Sequence, residues 1–165
     1  MPSSIRKSER QKTIRVPESI ALAVQQFNSG LFFECHETFE EVWQYEPGQL
    51  RDFYKGLIQI AAGFVHVQRG NAWGAITKLR SGSSYLEPYR PSAMGVDVDQ
   101  AIAQARKAAD KVDEAGDAAL RRGDFNYEPR WSFDPDGISC EAVRWKAWCF
   151  DAQGRDQPME ITVFE

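Results

Sequence analysis

The chain has only two histidines, His36 and His66, and three cysteines, Cys35, Cys140 and Cys149, no two of which stand at CxxC spacing. An odd cysteine count without such a pair indicates neither a disulfide framework nor a zinc knuckle, so the thiols read as reduced. Two histidines exclude an all-histidine zinc site, and no Ser-His-Asp pattern, phosphate loop or dinucleotide fingerprint is present. Positive charge is not in excess either: the formal net charge is -4 and the pI is near 5.3. That balance argues against a nucleic-acid or anionic-membrane surface over the chain as a whole. No apolar run is long enough to span a bilayer, and the polar N-terminus lacks the apolar core of a secretory signal. A cytoplasmic location, with neither nucleic acid nor membrane as partner, is the resulting expectation. A protein partner or a second copy of the chain stays open.

What is present is enough for one domain with a proper core, since 42% of the 165 residues are hydrophobic and 12% aromatic. Residues 1–15 carry Arg6, Lys7, Arg10, Lys12 and Arg15 against Glu9 and read as a frayed, flexible basic arm. Residues 16–122 read as a bundle of about five helices. Pro17 fits a first helical turn, Asn28-Ser29-Gly30 stops that helix, and a second runs to about Tyr45. The third, from Arg51 to Arg69, is apolar round most of its wheel and should be central. Its polar stripe holds Asp52, Lys55, Gln59 and His66, and Gly56, Ala62 and Gly63 beside the stripe would admit a close backbone. A fourth helix runs from Ala72 to Pro88, and Asp97 can cap a fifth that carries Val98, Ile102, Ala105, Ala109 and Val112. Residues 123–165 lose helical signals. They predict a small extended or β-hairpin appendage with strands at Ala142–Phe150 and Met159–Phe164, anchored by Trp131, Trp145 and Trp148. The fold class expected is an all-α antiparallel bundle with that C-terminal appendage.

The chemistry concentrates between Gly30 and Trp43. At about 100° per residue, Leu31, Phe32, Cys35, Phe39, Val42 and Trp43 fill one arc that reaches His36, and Glu40 and Phe33 continue it. Glu34, Thr38 and Glu41 fall opposite, and Glu37 sits at the border. His36 and Glu40, four apart, lie one turn over each other, on what should be a buried face. Unpaired imidazoles and carboxylates are costly to bury, so both need partners. Cys35 adjoins His36 but points deeper into the apolar arc, which makes it a packing residue rather than a nucleophile.

These residues resemble a known family, catalogued as domain of unknown function 309. The resemblance rests on Phe27-Asn28-Ser29-Gly30, then His36-Glu37-x-x-Glu40-x-x-Trp43, then Gly56-Leu57-Ile58-Gln59 with His66, then Gly70-Asn71-x-x-Gly74-Ala75. It runs over roughly residues 17–112, ending with Gly95-Val96-Asp97-Val98. It implies a compact all-helical fold and supplies no mechanism.

Three readings compete for a pocket of His36, Glu37, Glu40, Trp43, Gln59 and His66. In the leading one the histidine and glutamate form a buried polar network that fixes helix register in a structural or partner-binding module. In the second, His36, Glu40 and His66 bind one divalent transition metal, zinc, iron or manganese, with Gln59 orienting a ligand and Glu37 near the mouth. Here the protein could be a metal-dependent hydrolase, although HExxE lacks the second histidine of a protease motif. In the third the pocket is metal-free and serves small-ligand binding or acid–base catalysis, with Trp43 and Phe33 as its apolar wall.

Overall fold

The computed structural model describes residues 19–138 and, as backbone, two strands at 11–15 and 160–164. Five α-helices make the bundle: α1 (Ser19–Asn28), α2 (Phe32–Tyr45), α3 (Arg51–Gln68), α4 (Ala72–Leu86) and α5 (Val98–Arg122). A 3-10 turn (Glu87–Tyr89) and a two-residue hairpin of β2 (Ser92–Ala93) and β3 (Val96–Asp97) join α4 to α5. Successive helices pack on one another, and α5 touches both α3 and α4. This is the all-α bundle that the hydrophobic periods predict. Among the described residues no helix is long and apolar enough to cross a membrane.

The third helix is central for the expected reason. Phe53, Tyr54, Leu57, Ile60, Ala61 and Phe64 are essentially fully buried, and a buried side chain of Leu, Ile or Phe size contributes roughly 1.5–3 kcal/mol. Its glycines turn toward α4. A Cβ on Gly56 would stand 2.8 Å from Leu86 and 3.0 Å from the Gly82 carbonyl; one on Gly82 would stand 2.7 Å from the Gly56 carbonyl; one on Gly63 would meet Leu79 at 2.7 Å. The two backbones therefore approach too closely for any side chain between them, which is the use foreseen for these small residues.

The joints follow local chemistry. Gly30 adopts φ +78 in the turn between α1 and α2, a conformation that costs glycine little. Asn71 caps α4 by accepting the Gly74 amide proton at 3.0 Å, and Asp97 caps α5 through the Gln100 amide at 2.9 Å. The last helix is interrupted at Gly116 (φ 78, ψ 171), a break that its alanine-rich face does not foretell. Beyond the break Asp117 accepts the Ala72 amide proton at 2.7 Å, placing a carboxylate at the N-terminus of α4, where the helix dipole favours it.

Trp131 docks the following segment as expected. It is 1% exposed, stacks on Phe27 with ring centroids 3.5 Å apart, and is gripped by Asn28, which donates to its carbonyl at 2.9 Å and accepts its amide proton at 2.8 Å. Trp145, Trp148 and the strand expected at 142–150 lie outside the described residues. The strand expected at 159–164 is present as β4 (Glu160–Phe164), and its antiparallel partner is β1 (Gln11–Arg15). The end of the supposed frayed arm is thus a strand. Backbone pairing between opposite ends of a chain leaves no local period to read.

Gly82→Ala tests the α3–α4 contact. Alanine is the better helix former by about 1 kcal/mol, yet overpacking against the Gly56 backbone should outweigh this and destabilise the fold by about 1–3 kcal/mol. A melting temperature that is unchanged or raised would show that the helices are not in such close contact.

Candidate functional site

Glycine-mediated packing turns one flank of α3 to α4 and leaves another facing α2. On that second flank Lys55, Gln59, Ala62, His66 and Arg69 recur at steps of three and four, so they form one stripe. With Ile58 and Val65 of α3, Phe33, His36, Glu40 and Trp43 of α2, and Lys78 of α4, they line a cavity of about 450 Å³. That volume is in the range of small-molecule sites. Five of the six residues expected to share a pocket, His36, Glu40, Trp43, Gln59 and His66, line it; Glu37 does not and is exposed. Asp52, the first member of the expected stripe, is exposed and lies a turn beyond the cavity, where α2 has ended.

The wheel reading of α2 needs correction. Its covered residues are Phe32, Cys35, Phe39 and Val42, whereas Leu31 and Phe33 are 48% and 44% exposed. His36 and Glu40 pair through Nε2 and Oε1 at 3.2 Å, but their side chains are 23% and 52% exposed. The pair is therefore not a buried network; it lines an open cleft. A wheel gives the direction of a side chain and not what stands opposite, and among the described residues no helix covers this flank. Cys35 is fully buried, and burial pushes its thiol far up, which fits the packing role and removes it as a nucleophile.

Three residues of the lining each hold a buried polar atom without a hydrogen-bond partner among the described residues: His36 Nδ1, Trp43 Nε1 and Gln59 Oε1. The rings of His36 and Trp43 are held through other atoms. The Trp43 indole lies beneath the Arg51 guanidinium at 4.1 Å, and Arg51 donates to the Trp43 and Glu46 carbonyls, each at 3.2 Å. In neutral His36 the bond from Nε2 to Glu40 leaves Nδ1 as an acceptor. His66 is oriented by the α4 cap: the Asn71 side-chain oxygen takes the Gly74 amide proton, so its amide nitrogen faces His66 Nδ1 at 3.3 Å. That nitrogen then accepts, and Nε2–H is left as the donor of a neutral ring. Burial first, then Lys78 and Arg69, lower the pKa of His66, so the neutral form agrees with the bonding.

His36, Glu40 and His66 do not gather into a metal set. Among the described residues no group of three or more His, Cys, Asp or Glu is placed to hold an ion. Nδ1 of His66 is engaged by Asn71 and Nε2 of His36 by Glu40, so one nitrogen of each ring remains. Three residues of the lining that carry charge, Lys55, Arg69 and Lys78, were not among the expected site residues. Lys55 and Arg69 could have been found from the spacing 55, 59, 62, 66, 69, but Lys78 comes from another helix and only packing reveals it.

Residues 20–77 match the family model described as Domain of unknown function (DUF309). The resemblance drawn from the motifs holds over that span, which includes the His36-to-Trp43 stretch, Gln59, His66 and the Asn71 cap; Gly95-Val96-Asp97-Val98 falls beyond it. The chain is also similar to the "Uncharacterized protein YpuF" of Bacillus subtilis (strain 168), at 42% identity over 45 residues, 27% of this chain and 26% of that protein. The match thus spans about a quarter of that relative's length. No solved structure matches.

The bonding of His66 has a consequence in solution. A lowered folded pKa means that the unfolded chain takes up the proton more readily. The stabilising contribution is therefore present above the ordinary histidine value of about 6.5 and is lost as pH falls through the folded value. An NMR titration of the His66 ring should give a midpoint below about 6.5, moved upward by Lys78→Ala. A midpoint at or above the free-peptide value would contradict this arrangement.

Proposed function

We propose that the cleft between α2 and α3 binds a small organic molecule with an apolar body and at least two hydrogen-bonding groups. The observation that carries this reading is that three residues lining one cavity each hold a buried polar atom with no hydrogen-bond partner among the described residues. An unsatisfied buried polar group costs about 1–3 kcal/mol, and three in one wall is a cost that a ligand offsets when it bonds them. Once small side-chain shifts uncover these covered atoms to the cleft, Trp43 Nε1–H would donate to the ligand, Gln59 Oε1 would accept from it, and His36 Nδ1, with its ring held by Glu40, would accept a hydroxyl or N–H proton. Ile58, Ala62, Val65 and the Trp43 ring supply the apolar surface.

A polar network serving only helix register supports the opposite pattern, since such a network is worth keeping when its members satisfy one another. Here only the His36–Glu40 bond is of that kind, and it is half open to solvent. Binding is therefore the reading preferred over a structural or partner-docking role, and a three-residue metal centre finds no support in the donor geometry.

Gln59→Leu separates the two cases. Replacing an unpaired buried amide by an apolar group of similar size should raise stability by about 1 kcal/mol while removing the thermal stabilisation that wild-type protein gains from ligands in a small-molecule screen. If the same change lowers the melting temperature and spares ligand response, Gln59 belongs to a structural network.

A further inference from the structure

The chain as a whole is acidic, with a net charge of -4, but the cavity is not. Its lining carries Lys55, Arg69 and Lys78 against one carboxylate, Glu40, which is already bonded to His36. Elsewhere four exposed arginines are matched, Arg80 with Asp110, Arg90 with Glu87 and Asp99, Arg106 with Glu87 and Arg122 with Asp124. Arg51, Arg121 and Arg130 have no carboxylate partner among the described residues but do not line the cavity. Among the described residues none of the three cavity cations has a carboxylate partner. Uncompensated cations facing a cavity raise the local concentration of anions and select for them.

The cations are not spread evenly. Lys55 and Arg69 are fourteen residues apart on one helix, about 21 Å along its axis, too far to hold one group together. Lys55 stands at the Trp43 end, 5.6 Å from that ring, and Arg69 at the other end, 5.8 Å from the Phe33 ring. Lys78 lies near Arg69: it follows by one turn of α4 the Gly74 position, where a Cβ would stand 2.8 Å from His66 Nδ1, and Arg69 follows His66 by three residues, all three lining the same cavity. One end of the cleft thus combines two cations with the Nε2–H donor of a histidine whose Nδ1 is occupied by Asn71. A planar or tetrahedral oxyanion, with two or three oxygens, matches such a cluster of donors.

Resting on the reading of the cleft as a ligand site, we propose that its ligand is a small organic anion. A carboxylate or phosphate group sits at Arg69, Lys78 and His66, and an apolar body lies along Ile58, Ala62 and Val65 toward Trp43. Glu40, held by His36, faces the body and not the anion, and discriminates against a second negative group there.

Calorimetry on the full chain with phenylacetate, phenyl phosphate, benzyl alcohol and benzylamine tests this. One or both anions should bind at least about tenfold tighter than benzyl alcohol, a difference of about 1.4 kcal/mol, and the tighter of the two identifies carboxylate or phosphate as the group recognised. Benzylamine should bind more weakly than the alcohol. Arg69→Gln and Lys78→Gln should each weaken the anion by about threefold to tenfold and leave benzyl alcohol unchanged, whereas Lys111→Gln on α5 should change neither. Benzyl alcohol or benzylamine binding as tightly as the anions overturns the charge assignment and leaves the ligand-site reading standing. Absence of binding by all four probes at millimolar concentration overturns both.

Discussion

The contact of Gly56 with Gly82 governs how the rest of this bundle is arranged. Because neither position carries a side chain, α3 and α4 lie backbone to backbone, and α4 covers one flank of α3 while α2 takes the next. The stripe from Lys55 to Arg69 falls between those two neighbours. α2 covers it incompletely, since its own packed residues, Phe32, Cys35, Phe39 and Val42, are directed past the stripe into the core. A cleft with a polar wall and an apolar floor is the geometric result.

Two sets of small interactions then fix the groups at that wall. On α2, Glu40 sets the His36 ring and Arg51 sets the Trp43 ring. On α3 and α4, the Asn71 cap both starts a helix and chooses the tautomer of His66. Arg51 and Asn71 stand at helix starts, so this part of the cleft geometry is coupled to the joints of the fold, whereas Glu40 lies within α2. Asn28 plays the corresponding part on the far side, holding Trp131 against Phe27. Asn28 and Asn71, which in the sequence look like helix punctuation, are therefore structural connectors as well.

Much of this was legible in the residues. Helical periods located all five helices, and the glycines of α3 pointed to close packing. The four-residue step from His36 to Glu40, with Gln59 and His66 on α3, picked out residues that line one cleft. The misreadings have a common cause: local period gives direction and not neighbours. It could not show that Glu40 and Phe33 would face an open cleft instead of a core. Nor could it show that Lys78 would reach across from α4, or that Gln11–Arg15 would find a partner at 160–164. His66 and His36 both line the cleft, yet one nitrogen of each ring is held by Asn71 or Glu40, and among the described residues no group of three or more His, Cys, Asp or Glu is placed to hold an ion, which a reading of HExxE from spacing alone could not foresee.

The central claim is that His36 Nδ1, Trp43 Nε1 and Gln59 Oε1 have no partner among the described residues because they serve something held in the cleft. A crystal structure of the full chain that shows ordered solvent tests this most directly. The account predicts that density not belonging to the chain, a bound molecule or fixed waters in its place, lies within hydrogen-bonding distance of all three atoms. Finding the three bonded to protein groups, with α2 closed onto α3, would contradict it.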